Sequence, residues 1–288
     1  MPGKYIPPHK RAAVAPSPSS PRSSAPRISR TQITRPVNVF FGDSFIRLFG
    51  LVKHSSVRIH PFKGASAKGL GRDGNENRQA IARAIRHTPN VERCIFCFGS
   101  VDVHLSYYYK KYVRQEGEID LNEIARQYVR FVASLPITKA ERIIVGIYPS
   151  PLEDDSVGAS LVKYRSLMDE QMEMVAASED AKLENRQGRV LSFNRALATH
   201  CVAYGVEYID VVEEMLDTAT LKIREEYRDI ADQNIHIVWE TTLLVWLEKW
   251  PWLKELIPPT FHAQLNKTLN TYLATKPWAT RTHVSQTM

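Results

Sequence analysis

Two hydrophobic rhythms alternate along this chain. Short runs of apolar residues, rich in β-branched and aromatic types, occur at 37–41, 57–62, 93–98, 142–148 and 206–210. Such runs suit strands covered on both faces. Between them, apolar residues recur every three or four positions, which is the period of a helix with one buried face. Ile81, Ala84 and Ile85 mark a helix ending near His87, with Asn75 or Asn77 as its cap. Ile124, Tyr128, Phe131 and Val132 mark one over 121–135. Further helices are expected over 159–177, 187–203 and 238–250, the last stopped by Pro251. Strands separated by helices imply a parallel sheet with helices on both faces, a three-layer α/β/α sandwich.

The pattern fades at both ends. Residues 1–36 are rich in Pro, Ser, Ala and Arg and lack apolar periodicity, so they are expected to be disordered. Residues 258–288 are polar and Thr-rich. Phe261, Leu265 and Leu269 allow one short helix there, and the order of the segment stays open. The domain is therefore placed at 37–257. Charge sharpens this division. The whole chain carries +7, with +7 on residues 1–36 and +3 on residues 258–288, which leaves −3 on the domain. The basic character belongs to the tails and argues against a nucleic-acid-binding core. No apolar run reaches the length of a membrane span. The N-terminus has no apolar segment of the secretory kind, and three cysteines make no even disulfide framework. These features imply an intracellular, cytoplasmic protein and leave the nucleus open.

Candidate chemistry gathers at the ends of the strands. Gly42-Asp43-Ser44 follows the first strand and opens a helix marked by Phe45, Leu48 and Phe49. A serine there lies at the carboxyl edge of the sheet, where open α/β sheets bind ligands, and at a helix N-terminus, which favours developing negative charge. Ser44 is a candidate nucleophile; the plainer role is a helix cap. Gly64, after the second strand, has no side chain to keep an oxyanion from a backbone N–H, or it serves a turn needing positive φ. Gly99 and Asp102 follow the third strand and suit a tight turn on the same crevice, with Asp102 free to bond loop backbone. His236 precedes the last helix and is a candidate general base, since histidine as a residue type can take a serine proton near neutral pH, and Asp232 is the nearest acid.

At these four segments the chain resembles the SGNH hydrolase superfamily, the GDSL-like lipases and esterases. Gly42-Asp43-Ser44 matches the nucleophile block and Gly64 the glycine block. Gly99-Ser100-Val101-Asp102 matches the Gly-x-Asn-Asp block, and Asp232 with His236 the terminal Asp-x-x-His block. The resemblance spans about residues 37–250. It implies a flavodoxin-like fold and serine esterase chemistry without metal or other cofactor. Ser44, His236 and Asp232 would be catalytic, the N–H groups of Ser44 and Gly64 would form the oxyanion hole, and the substrate would be a small-molecule or glycan ester. The sequence departs from the pattern twice. Val101 stands where the family has an oxyanion-binding Asn, and Gln233 occupies the acid position, with Asp232 four residues from His236.

The remaining features are less specific. Asp43, Gly99, Val101, Asp102, His104 and Tyr107 are expected to line the crevice. Tyr107, Tyr108, Tyr109 and Tyr112 could stack on a sugar or open a solvated helix. Cys94 and Cys97 fall on opposite faces of a strand, as buried structural thiols. Trp239, Trp246, Trp250 and Trp252 suit packing of the final helix. Ser17-Pro18 and Ser20-Pro21 are simple proline-directed phosphorylation patterns. Tyr5-Ile6-Pro7-Pro8-His9-Lys10-Arg11 resembles a short motif near the N-termini of some DEAD-box RNA helicases, which implies at most a shared docking partner or a translation-linked context; the plainer reading is a basic, solvated tail. Together with Val101 and Gln233, the motif supports an alternative role as an interaction module with impaired catalysis.

Overall fold

The computed structural model describes residues 35–164, 167–228 and 234–275. The motif at Tyr5–Arg11, both Ser-Pro pairs, Asp232 and Gln233 lie outside the described residues. Five strands form one sheet: β1 (Val37–Gly42), β2 (Val57–Pro61), β3 (Val91–Cys97), β4 (Glu141–Val145) and β5 (Glu207–Ile209). All pair in parallel, in the order β2-β1-β3-β4-β5. This is the doubly wound order of flavodoxin-like sheets. Helices cover both faces, so the three-layer α/β/α sandwich expected from the sequence is the fold.

Alternation along the strands divides the core in two. Phe40, Ile95, Cys97, Ile143 and Val145 face one buried cluster, and Val39, Phe41, Cys94, Phe96 and Ile144 face the other. Cys94 and Cys97 thus lie on opposite faces, buried and unpaired. Burial pushes the Cys94 thiol up to about 12 and the Cys97 thiol well above its ordinary value. On the first face, Phe49 packs on Trp246 and Trp250, whose tilted rings lie 4.5 Å apart. The tryptophans therefore fasten the segment after Ser44 to the helix Trp239–Lys249. On the second face lie Glu76–His87, Leu121–Ser134 and Leu183–Tyr204, through Ile81, Tyr128, Phe193 and their neighbours.

Two expected helices differ. The 159–177 helix is a folded-back pair, Val157–Lys163 and Asp169–Ala176. A Cβ on Gly158 would lie 2.9 Å from the backbone oxygen of Met172, so the two helices cross where only glycine fits. The fold-back buries Val157, Leu161 and Val175 in one cluster. The C-terminal segment, left open above, holds a 17-residue helix, Pro259–Thr275, with Leu265 buried in the first cluster. Among the described residues no helix is long and apolar enough to cross a membrane.

Candidate active site

β1, β2 and β3 end level, with Gly42 opposite Pro61 on one side and Cys97 on the other. The turns carrying Ser44, Gly64 and Gly99 therefore leave one edge of the sheet together. β1 and β3 flank the point where the strand order reverses, the usual ligand crevice of such sheets. Gly42 makes the first turn possible, because a Cβ there would meet the Cys97 carbonyl oxygen at 2.6 Å. A short 3₁₀ helix, Ser44–Leu51, follows. Its cap is Asp43, whose carboxylate accepts from the Phe45 N–H at 3.0 Å. The capping role open to Ser44 thus belongs to its neighbour.

Ser44 points elsewhere. Its Oγ lies 2.7 Å from His236 Nε2, across 192 residues of chain, and both side chains are half-buried. The Phe45 ring packs 4.8 Å from the imidazole. On the far side of the ring, Nδ1 lies 2.8 Å from Asn234 Oδ1 and 3.1 Å from the Tyr164 hydroxyl. Tyr164 also donates to Asn234 Oδ1, which accepts from the His236 backbone N–H at 3.1 Å. An amide oxygen at Nδ1 suits the tautomer that carries its proton there. Nε2 is then the acceptor facing the serine hydroxyl, which is the state a general base needs. Sequence reasoning missed Asn234 and Tyr164. Asn234 was readable only as a polar residue two before His236, and Tyr164 lies 72 residues away with no local signal.

Gly64 sits in the turn after β2 with φ of 74°, where Ala65 N–H bonds the Phe62 carbonyl at 2.9 Å. The turn needs positive φ at this position, which glycine supplies. A Cβ there would meet nothing within 4 Å, so the space above it is open. Asp102 fixes the following segment. Its carboxylate accepts from Ala67 N–H at 2.6 Å and Lys68 N–H at 3.3 Å. It is buried and clamps the β2 turn to the β3 turn; burial is the main force raising its pKa to about 6. Asp43 is fully buried as well. Desolvation lifts its carboxyl to about 7, and the Asp102 charge adds to the rise. The backbone N–H groups of Phe45, Val101 and Ser100 oppose it. Gly99, with φ of 126°, lies so close to Phe193 that a Cβ would meet the ring at 2.4 Å. Val101 is half-buried and opens onto a π-helical turn, Asp102–Ser106.

His104 and Tyr107 turn to structural partners. His104 is buried, 3.1 Å from the Tyr148 carbonyl oxygen, and burial lowers its pKa to about 4. Tyr107 and Tyr112 donate to the Asp180 carboxylate and Tyr108 to the Asp180 carbonyl. The Arg189 guanidinium covers the Tyr107 ring at 4.3 Å. These hydroxyls hold down the Asp180 segment. Among the described residues no group of three His, Cys, Asp or Glu side chains is placed to hold a metal ion.

The parallel sheet order and the turns carrying Ser44, Gly64 and Gly99 at one edge define a flavodoxin-like α/β/α fold with a Ser44–His236 pair at the carboxyl edge of the sheet. Similar solved structures include a GDSL-like lipase from Bacteroides thetaiotaomicron, at 11% identity over 76% of this chain and 88% of that one, with a TM-score of 0.44. A carbohydrate acetylesterase from Sinorhizobium meliloti is 11% identical over 83% of this chain and 100% of its own, with a TM-score of 0.42. The aryl esterase of M. smegmatis is 10% identical over 77% and 100%, with a TM-score of 0.45. No protein-family model and no curated relative matches the sequence.

Proposed function

We propose that the chain is a serine esterase acting on a small-molecule or glycan ester, with Ser44 as nucleophile and His236 as base. The observation that carries this reading is the 2.7 Å contact between Ser44 Oγ and His236 Nε2 at the carboxyl edge of the sheet. His236 takes the hydroxyl proton as Ser44 Oγ attacks the ester carbonyl. The N–H groups of Ser44 and Gly64 hold the oxyanion, and imidazolium protonates the departing alcohol. Water, deprotonated by the same ring, then releases the acid and restores the serine. Asn234 orients the ring, and Asp232 is assigned the charged support of the imidazolium. Hydrolysis of a short-chain aryl ester and labelling by a fluorophosphonate test this in the full chain. The wild type should be labelled and Ser44→Ala should not; equal signals overturn the proposal.

Val101 supports a second reading. It offers no side-chain donor, and loss of one oxyanion donor costs about 10²–10³ in rate in enzymes that depend on it. The fold would then act as an interaction module with impaired catalysis. That reading expects no label on Ser44 and a protein partner that is lost when residues 1–36 are deleted.

A further inference from the structure

A separate concavity of about 450 Å³ opens between the segment 71–78 and the helix Leu121–Ser134, sharing no residue with the Ser44–His236 pair. Four arginines line it: Arg72, Arg78, Arg126 and Arg130. Its floor depends on Gly71, where a Cβ would lie 2.7 Å from the Gln127 Cβ, so chain and helix approach as closely as backbone allows. Acids match only half of this charge. Arg78 pairs with Asp73 at 2.7 Å and is steadied over the Phe131 ring at 4.9 Å. Arg126 forks onto Glu123 through two N–H groups, each at 2.6 Å. The side chains of Arg72 and Arg130 make no hydrogen bond or ion pair among the described residues.

We infer that this groove binds a compact phosphate-bearing ligand, a phosphate monoester or polyphosphate, through Arg72 and Arg130. Guanidinium groups present paired donors that match phosphate oxygens, and their charge does not titrate at neutral pH. The volume falls within the range of small-molecule sites. A long polyanion suits it less. Residues 37–257 carry −3 overall, so the domain as a whole offers a nucleic-acid backbone no excess of positive charge beyond the groove, whereas a compact anion needs only the groove itself.

Isothermal titration of the full chain with inorganic pyrophosphate tests the inference. Saturable one-site binding is expected in the wild type and in Ser44→Ala. The doubly substituted R72A/R130A protein should bind at least tenfold more weakly while keeping its circular-dichroism spectrum and melting temperature. Persistence in Ser44→Ala separates this site from the proposed esterase centre. Absence of saturable binding, or equal binding by R72A/R130A, overturns the inference. Tighter, arginine-dependent binding of a 20-nucleotide RNA overturns the assigned ligand class.

Discussion

At the scale of single residues, the group behind His236 sets what the pair can do. Asn234 Oδ1 fixes the ring and tautomer but, being neutral, adds no charge of its own to a transient imidazolium. Asn234→Ala should lower kcat on the order of tenfold, the worth of one net hydrogen bond, and leave KM nearly unchanged. Asn234→Asp places a carboxylate beside Nδ1–H and raises the imidazolium pKa. Because the base must be neutral, the acidic limb of the kcat/KM profile should move to higher pH. An unmoved limb would show that the ring's support comes from elsewhere. Asp43 gives a second test, read in stability. Its carboxyl titrates near 3.8 when unfolded and near 7 when folded, raised chiefly by burial. Between those values the folded protein keeps a proton that the unfolded chain has lost. This group's contribution to stability therefore falls as pH rises from about 4 to about 7, then levels off. Asp43→Asn removes the titration. The stability of wild type minus variant should decline across that window by a few kcal/mol at most, as measured by denaturant melts at each pH.

At the scale of elements, turns at the sheet edge place the chemistry, and the tightest is at Gly42. A methyl group there meets a backbone oxygen and the Ile46 Cβ, both at 2.6 Å. Gly42→Ala should cost about 2 kcal/mol or more, seen as a lower melting temperature, and should slow Ser44 labelling in whatever protein remains folded. Elements of this kind were readable because their causes are local. Unbroken runs such as 93–98 mark buried strands, and Ile81 and Ile85 mark a helical face whatever surrounds them. Ser44 and His236 stood out because each closes or opens such an element. The rest depends on contacts between distant segments. Nothing near Tyr164 foretells that its hydroxyl meets Asn234 across 70 residues, and the 159–177 pattern does not show that Gly158 meets Met172. Nor does any local pattern show that the hydroxyls of Tyr107, Tyr108 and Tyr112 meet Asp180, about 70 residues further on.

At the scale of the whole molecule, the sheet edge that carries Ser44 and His236 depends on packing that continues past the sequence-based domain limit at 257. The helix Trp239–Lys249 begins three residues after His236 and is gripped from the sheet side by Phe49, through Trp246 and Trp250. The helix Pro259–Thr275 covers it from outside, with Leu265 only 2% exposed and Phe261 packed against the same cluster. Burying one leucine side chain is worth roughly 1.5–3 kcal/mol, and Phe261 adds a part of a second such contribution. A chain ended at residue 258 should therefore lose about 2–4 kcal/mol. For a domain of this size that lowers the melting temperature by roughly 5–15 °C. The loss should reach the chemistry too. The uncovered helix carries the segment that aims His236 at Ser44, so the truncated protein should react more slowly with a fluorophosphonate well below its own melting temperature. A truncation that leaves both melting temperature and labelling rate unchanged would show that the last helix only rests on the domain and contributes nothing to holding the Ser44–His236 pair together.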